Sequence, residues 1–237
     1  MGEKFILVTG ASQNHAKSLV NMIDSFLHFY KNNESAIIVV YDLGINRSYW
    51  NAIIAKYSDV HNIQYRVFDY SKYPAYLNIN INAGEYAWKP VIISDVCDDY
   101  DGVVIWMDAG NLITEKLDKL CEITKTNHIY SPISSENIEC WTYPKTIDYM
   151  GCSDTSKINR NGACIALNNS TDWVKTFIKE FKSLALIKEC IAPLGSSRDN
   201  HRQDQAVFTI LYYQYQEKYG FKCCDEYLEY TVHNDVH

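Results

Sequence analysis

The stretch Val103-Val104-Ile105-Trp106-Met107-Asp108-Ala109-Gly110-Asn111 decides how this chain is read. Five apolar residues in a row, opened by the turn-forming Gly102, match a strand buried on both faces. The run delivers a carboxylate, Asp108, at its carboxyl end and follows it with two small residues. In open α/β sheets ligands bind at that edge, and Ala109 and Gly110 let backbone approach a ligand closely. A strand-ending aspartate in a plain turn has the same local pattern, so the flanking segments carry the decision.

Upstream, residues 4–8 predict a first strand, followed by Thr9-Gly10-Ala11-Ser12 as a turn of small residues. Ala16, Leu19, Val20, Ile23, Phe26, Leu27 and Tyr30 then fall on one face of an amphipathic helix. Residues 36–41 are β-branched and predict a second strand closing on Asp42. Residues 48–57 predict a short helix and 63–68 a third strand. Segment 70–82, with Pro74 and three asparagines, predicts irregular backbone. A helix should follow up to Val96, with Pro90 in or near its first turn, where proline is tolerated.

Downstream, residues 143–150 and their flanks are polar and predict a loop. Residues 163–167 predict a strand. Ser170, Thr171 and Asp172 supply cap chemistry for a helix whose apolar positions include Trp173, Phe177 and Phe181. A loop with Pro193 and Gly195 precedes a last long helix from Gln203 to Tyr219, with Ala206, Val207, Ile210 and Leu211 facing inward. Strands alternating with helices predict an α/β fold with a mainly parallel, doubly wound central sheet flanked by helices. No internal repeat or low-complexity linker divides the chain, which predicts one domain over residues 1–237.

Composition bounds the function classes. With 237 residues, 47% of them hydrophobic, the chain can bury a full core without staples. Its formal charge of −7, with no basic block, argues against a nucleic-acid groove. None of the eight cysteines forms a C-x-x-C pair, so the usual zinc spacing is missing. The opening apolar run is too short for a signal-peptide core, and no run is long enough to span a bilayer. These features set the expectation of a cytoplasmic chain with reduced thiols and no transmembrane segment; its oligomeric state is left open. Tyrosine, with 19 copies, offers apolar planes with polar handles that suit sugar faces, although a tyrosine-rich core and surface is the plainer explanation.

The helix Glu85-Tyr86-Ala87-Trp88-Lys89-Pro90-Val91-Ile92-Ile93-Ser94-Asp95-Val96 leading into the Asp108 strand resembles GT-A glycosyltransferases, in particular the glycogenin and bacterial lipopolysaccharide galactosyltransferase group. In that group a helix with a basic residue after an aromatic-Ala step precedes a strand ending in Asp-x-Asp. The resemblance implies a GT-A domain that transfers a sugar, most readily from a UDP-sugar donor, to a glycan, lipid-linked or protein acceptor. It implies that Asp108, with Ala109 and Gly110 behind it, faces the donor's ribose and metal, and that Lys89 supports the nucleotide or that aspartate. Thr9, Ala11 and Ser12 stand where the family binds nucleobase and ribose. Asp42 stands where a carboxylate or aromatic meets the base, although a strand-terminating aspartate fits as well. Asn161-Gly162-Ala163-Cys164-Ile165-Ala166-Leu167-Asn168 resembles the strand beneath the donor sugar, with Gly162 permitting close approach. His201-Arg202-Gln203-Asp204-Gln205 resembles the Asp-Gln pair near the reacting sugar, which makes Asp204 and Gln205 the catalytic candidates; Asp204 also suits a helix N-terminus.

One departure matters. Gly110 replaces the second Asp of Asp-x-Asp and removes an oxygen donor that Mg²⁺ or Mn²⁺ prefers. Asp108, Asn111 and a late histidine, His233 or His237, are the remaining candidates for a divalent cation. Two other readings stay open. Thr9-Gly10-Ala11-Ser12 invites a dinucleotide-dependent reductase, but Gln13, Asn14 and His15 break the G-x-G-x-x-G fingerprint. The incomplete Asp-x-Asp invites a non-catalytic module that binds a nucleotide sugar or a partner without turnover.

Overall fold

The computed structural model describes residues 4–225 and 230–236. In chain order it contains β1 (Phe5–Ala11), α1 (Ala16–Tyr30), β2 (Ala36–Asp42), α2 (Arg47–Lys56), β3 (Ile63–Val67), α3 (Trp88–Asp99), β4 (Val103–Met107), β5 (Asn111–Ile113), α4 (Asp118–Asn127) and β6 (Ile129–Tyr130). There follow β7 (Ile133–Asn137), α5 (Ile138–Trp141), α6 (Pro144–Met150), β8 (Ile158–Arg160), β9 (Cys164–Asn168), α7 (Asp172–Ala185), α8 (Lys188–Ile191), α9 (Gln203–Tyr219) and β10 (Thr231–His233).

Among the described residues, six strands form the central sheet in the order β3-β2-β1-β4-β9-β6. β3, β2, β1 and β4 run parallel, and β9 pairs antiparallel with both β4 and β6. Side-chain alternation sorts the core into two layers. Ile6, Val8, Val104 and Trp106 face α3, α7 and α9, where Val91, Phe177, Phe181 and Phe208 pack. Phe5, Leu7, Val103 and Ile105 face α1, α2 and α4, where Leu19, Phe26, Ile53 and Leu120 pack. This is the mainly parallel α/β sheet, flanked by helices, that the order of apolar runs predicts. No helix among the described residues is long and apolar enough to cross a membrane.

Two elements differ from the sequence reading. The expected turn at Thr9-Gly10-Ala11 is still strand, because these residues continue in register with Val40, Tyr41 and Asp42 of β2. The expected loop at 143–150 contains α6: Pro144 starts it at a position where a missing N–H costs nothing, and Gly151, at φ 61°, ends it in the left-handed conformation. Its seven residues are too few for a legible helical period. Segment 70–82 is irregular as expected, built of short 3₁₀ turns at Tyr70–Lys72 and Ala75–Leu77.

α3 is enclosed almost all round. Trp88 through Ser94 are buried without interruption, so the helix carries no polar stripe. A left-handed turn at Asn82–Tyr86 precedes it, with φ between 47° and 65° at five successive residues. Four of them carry a Cβ and sit in a conformation costing about 1 kcal/mol or more each. The Trp88 indole N–H donates to the Ala83 carbonyl at 3.0 Å and braces the turn.

Candidate active site

The carboxyl ends of β1 and β4 open onto a groove of about 650 Å³ bordered by Ala11, Ser12, Leu43, Asp108 and Gly110. Beyond Asp108 lies a second cavity of about 330 Å³, walled by Ser134, Trp141, Gly162, Arg202, Asp204 and Gln205. The segments picked out in the sequence therefore meet in space, although they lie far apart along the chain.

Lys89 ties the two cavities together. α3 enters the core there, and the ammonium ends among three oxygens. It is 2.8 Å from Asp204 Oδ2, 3.1 Å from Asp108 Oδ1 and donates to the Gly162 carbonyl at 3.1 Å. The Asp204 contact is an ion pair rather than a well-aligned hydrogen bond. Lys89 is 3% exposed, so it is no solvated helix cation. Burial on its own disfavours the charged ammonium, but Asp108 and Asp204 outweigh it and push the net pKa up. Asp204, 7% exposed at its side chain, is pushed the other way from an ordinary paired carboxylate. Burial raises it, and Lys89 only partly offsets that. With three charges in contact, the ammonium stays protonated and the carboxylates share it.

Asp108 is more open, with its side chain 40% exposed. Its Oδ1 also accepts from the Trp106 indole N–H at 2.7 Å, a bond from within the same strand. The Gln205 amide oxygen accepts from Gly162 N at 3.4 Å, joining the first turn of α9 to the loop before β9. A Cβ on Gly162 would stand 3.2 Å from Gln205 Cβ and 3.3 Å from Asp204 Oδ2. A side chain there would make both candidates give way by a few tenths of an ångström.

Three expected donor or metal positions fall elsewhere. Thr9 is fully buried behind the strand edge and lies outside both cavities. Asp42 turns one oxygen onto its own chain, accepting from Gly44 N at 2.8 Å and Ile45 N at 2.6 Å, and so closes β2. Asn111 points its amide nitrogen at the carbonyls of Asp108 and Ala163, at 3.0 and 3.3 Å, and fixes the turn after β4.

His233 does reach the groove. β10 pairs antiparallel with β5, setting His233 opposite Asn111. It lies so close over Gly110 that a Cβ there would meet His233 Cε1 at 2.9 Å and Asp235 Cβ at 3.2 Å. A side chain at Gly110 would therefore have to displace the His233 ring and crowd Asp235. Asp235 is itself engaged, 3.0 Å from His15 Nδ1 and accepting from the Ser18 hydroxyl at 2.7 Å. Among the described residues no three His, Cys, Asp or Glu side chains gather at metal-binding spacing. Of the candidates Asp108, Asn111 and His233, Asn111 turns its amide nitrogen to the backbone, and His237 lies outside the described residues.

Several cavity residues escape the sequence reading. Tyr86, carried by the left-handed turn, and Arg198, in the loop before α9, line both cavities. Trp141 lines the second, with the Arg202 guanidinium stacked 3.9 Å from its ring centroid. Tyr86 and Arg198 lie on a turn and a loop, and Trp141 ends the four-residue α5, so none of the three falls in a segment long enough to show a period.

Comparison with known proteins adds the fold. A family model described as a protein of unknown function, DUF1647, matches residues 2–94, from β1 into α3. No curated protein matches the chain. The apo structure of the bifunctional glycosyltransferase WbbM superposes with a TM-score of 0.60 at 14% identity, over 90% of this chain and 38% of its own. The galactosyltransferase LgtC, in complex with donor and acceptor sugar analogues, superposes with a TM-score of 0.57 at 17% identity, over 87% and 70%. Mouse xyloside xylosyltransferase 1 gives 0.55 at 9% identity, over 94% and 84%. The chain thus spans well under half of WbbM and most of the other two. At such identities the likeness speaks to architecture, and the architecture is the α/β fold of GT-A glycosyltransferases.

Proposed function

We propose that this chain is a glycosyltransferase that moves a sugar from a nucleotide-sugar donor, with UDP-sugars the first choice, to a glycan, lipid-linked or protein acceptor. One observation carries the reading. Lys89 holds Asp108, at the groove, and Asp204, in the adjoining cavity, on one buried ammonium. A ligand with a nucleotide part and a sugar part needs such a pair of joined compartments, with charge fixed where they meet.

In this reading the nucleoside lies over Ala11 and Ser12, the ribose and diphosphate pass Asp108, and the sugar enters beside Gly162, Asp204 and Gln205. Transfer breaks the bond between the anomeric carbon and the diphosphate oxygen, whose electron pair leaves with the phosphate. A bond to the acceptor oxygen forms, and that oxygen gives up its proton. In an inverting course Asp204 is the carboxylate placed to take it. In a retaining course Asp204 and Gln205 position the sugar and stabilise its oxocarbenium-like state. Either way Lys89 sets the orientation of both aspartates before substrate arrives, which is the preorganisation that makes fixed charge effective. A divalent ion, Mn²⁺ or Mg²⁺, would add positive charge at the leaving group; Asp108 is the residue best placed to touch one.

Gly110 supports a second reading, a non-catalytic module that binds the nucleotide sugar and releases it unchanged. Substitution of Asp204 by Asn separates the two. If the chain is an enzyme, the wild type consumes donor, and Asp204→Asn nearly abolishes consumption while still binding the same nucleotide sugar. Wild-type turnover by the variant removes Asp204 from the mechanism.

A further inference from the structure

Among the described residues, the groove and the second cavity have only Tyr86, Asp108 and Arg198 in common. A nucleotide sugar carries its diphosphate between nucleoside and sugar. On the reading proposed above, which this inference presupposes, the diphosphate therefore lies where those three residues meet.

The charges at that junction are unequal in availability. Lys89 is already shared by Asp108 and Asp204, and it is buried beneath them. Asp108 brings negative charge toward an anionic ligand. Arg202 belongs to the second cavity alone and lies over the Trp141 ring. Arg198 is the cation common to both cavities, and it makes no ion pair among the described residues. Its guanidinium carbon lies 5.5 Å from the centroid of the Tyr86 ring, which lines both cavities too. The loop that carries it is braced from within: Asn200 accepts from Ser197 N at 2.7 Å and donates to the Gly195 carbonyl at 3.3 Å. That loop leads straight into α9, which carries Asp204.

The donor set for a metal points the same way. Gly110 offers no ligand, Asn111 is turned into the backbone, and Asp235 is held by His15 and Ser18.

We infer that Arg198 is the group that neutralises the donor's diphosphate, doing in this chain what a metal ion does where acidic ligands converge. A planar guanidinium offers two parallel N–H donors to phosphate oxygens and stays protonated throughout. As the bond from anomeric carbon to phosphate oxygen breaks, the electron pair passes to the phosphate and Arg198 stabilises the added charge without giving up a proton. It is a residue of the leaving-group side, distinct from Asp204 on the sugar side.

The test is calorimetric titration of UDP, GDP, CDP and ADP, and of the matching nucleosides, into wild type, Arg198→Gln and Arg198→Lys, each with EDTA and with Mn²⁺. Melting curves establish that the variants are folded, as an exposed loop residue allows. The expected result is that wild type binds at least one nucleoside diphosphate in EDTA. Arg198→Gln should bind it about 10- to 100-fold more weakly, the range for a charge-assisted contact. The nucleoside should bind equally to both proteins, and Arg198→Lys should fall between them. Equal affinity of Arg198→Gln and wild type for the diphosphate in EDTA overturns the inference and leaves the nucleotide-sugar reading standing. So does wild-type binding that appears only with Mn²⁺. Failure of every nucleoside diphosphate to bind wild type under either condition overturns the nucleotide-sugar reading itself.

Discussion

Replacing Lys89 with methionine removes the ammonium and keeps most of the volume. It leaves Asp204 buried with a charge and no partner, and leaves the Gly162 carbonyl without its donor. Breaking a buried pair from one side costs about 3–5 kcal/mol. The Asp108 arm adds little, because that carboxylate is 40% exposed and water screens it. In a domain of this size each kcal/mol moves the melting temperature by about 2–4 °C, so Lys89→Met should melt roughly 6–20 °C below wild type. The double variant Lys89→Met/Asp204→Asn should recover much of that loss, since it no longer buries a lone charge. The deficit should also shrink in acid. Burial already raises the Asp204 carboxyl above its ordinary 3.8, and loss of Lys89 raises it further. The folded variant therefore takes up a proton before the unfolded chain does, and the penalty is present at neutral pH and fades as pH falls. Differential scanning calorimetry at pH 7 and pH 5 reads all three effects. A single variant that melts within about 2 °C of wild type, or a double variant no more stable than the single one, refutes the claim that Lys89 is the keystone of the site.

The remaining expectations concern the supports of α9. His201 is buried, accepts from Tyr143 N at 3.2 Å through Nδ1, and meets the Ile191 carbonyl at 2.9 Å through Nε2. Burial lowers its pKa from 6.5 to about 4, so its contribution is intact above pH 6.5 and is lost as pH falls toward 4. At about 1.36 kcal/mol per pH unit this amounts to roughly 3–4 kcal/mol. Urea unfolding of His201→Gln between pH 7 and 4 should show a flatter dependence than wild type, and parallel curves for the two proteins would remove His201 from that window. Gly162→Ala should push Gln205 and Asp204 away from their places at a cost of about 1–3 kcal/mol. Sugar transfer should fall more than tenfold while the melting temperature drops only modestly, and an unchanged rate would show that the close approach at Gly162 has no part in the site.

What the sequence made legible follows from which forces act locally. β4 is apolar on both faces, so its five-residue run announces both the strand and its burial. α1 and α7 carry one apolar stripe each and were equally plain. α6 is hidden because a seven-residue polar helix shows too little period, and Thr9-Gly10-Ala11 looks like a turn until β2 pairs with it. The site was legible in part for the same reason. Lys89, Asp108, Gly162 and Asp204 sit at element ends, where a motif can be read, and the structure brings all four together. Tyr86, Arg198 and Trp141 reach the cavities through turns and loops whose course is set by tertiary contacts. The meaning of Gly110 was out of reach too. A glycine in place of a carboxylate reads as a lost ligand, whereas its close contact with His233 and Asp235 depends on β10 returning from the far end of the chain.

The central claim is that the two cavities joined by Lys89 hold a nucleotide sugar. Titrating a panel of nucleotide sugars into the wild-type chain, with and without Mn²⁺, while following sugar release and transfer to added glycans, tests it directly. The account predicts that one class of nucleotide sugar binds and is turned over, and that Asp204→Asn binds the same donor and leaves it intact. A wild-type chain that binds no nucleotide sugar under either condition contradicts the account.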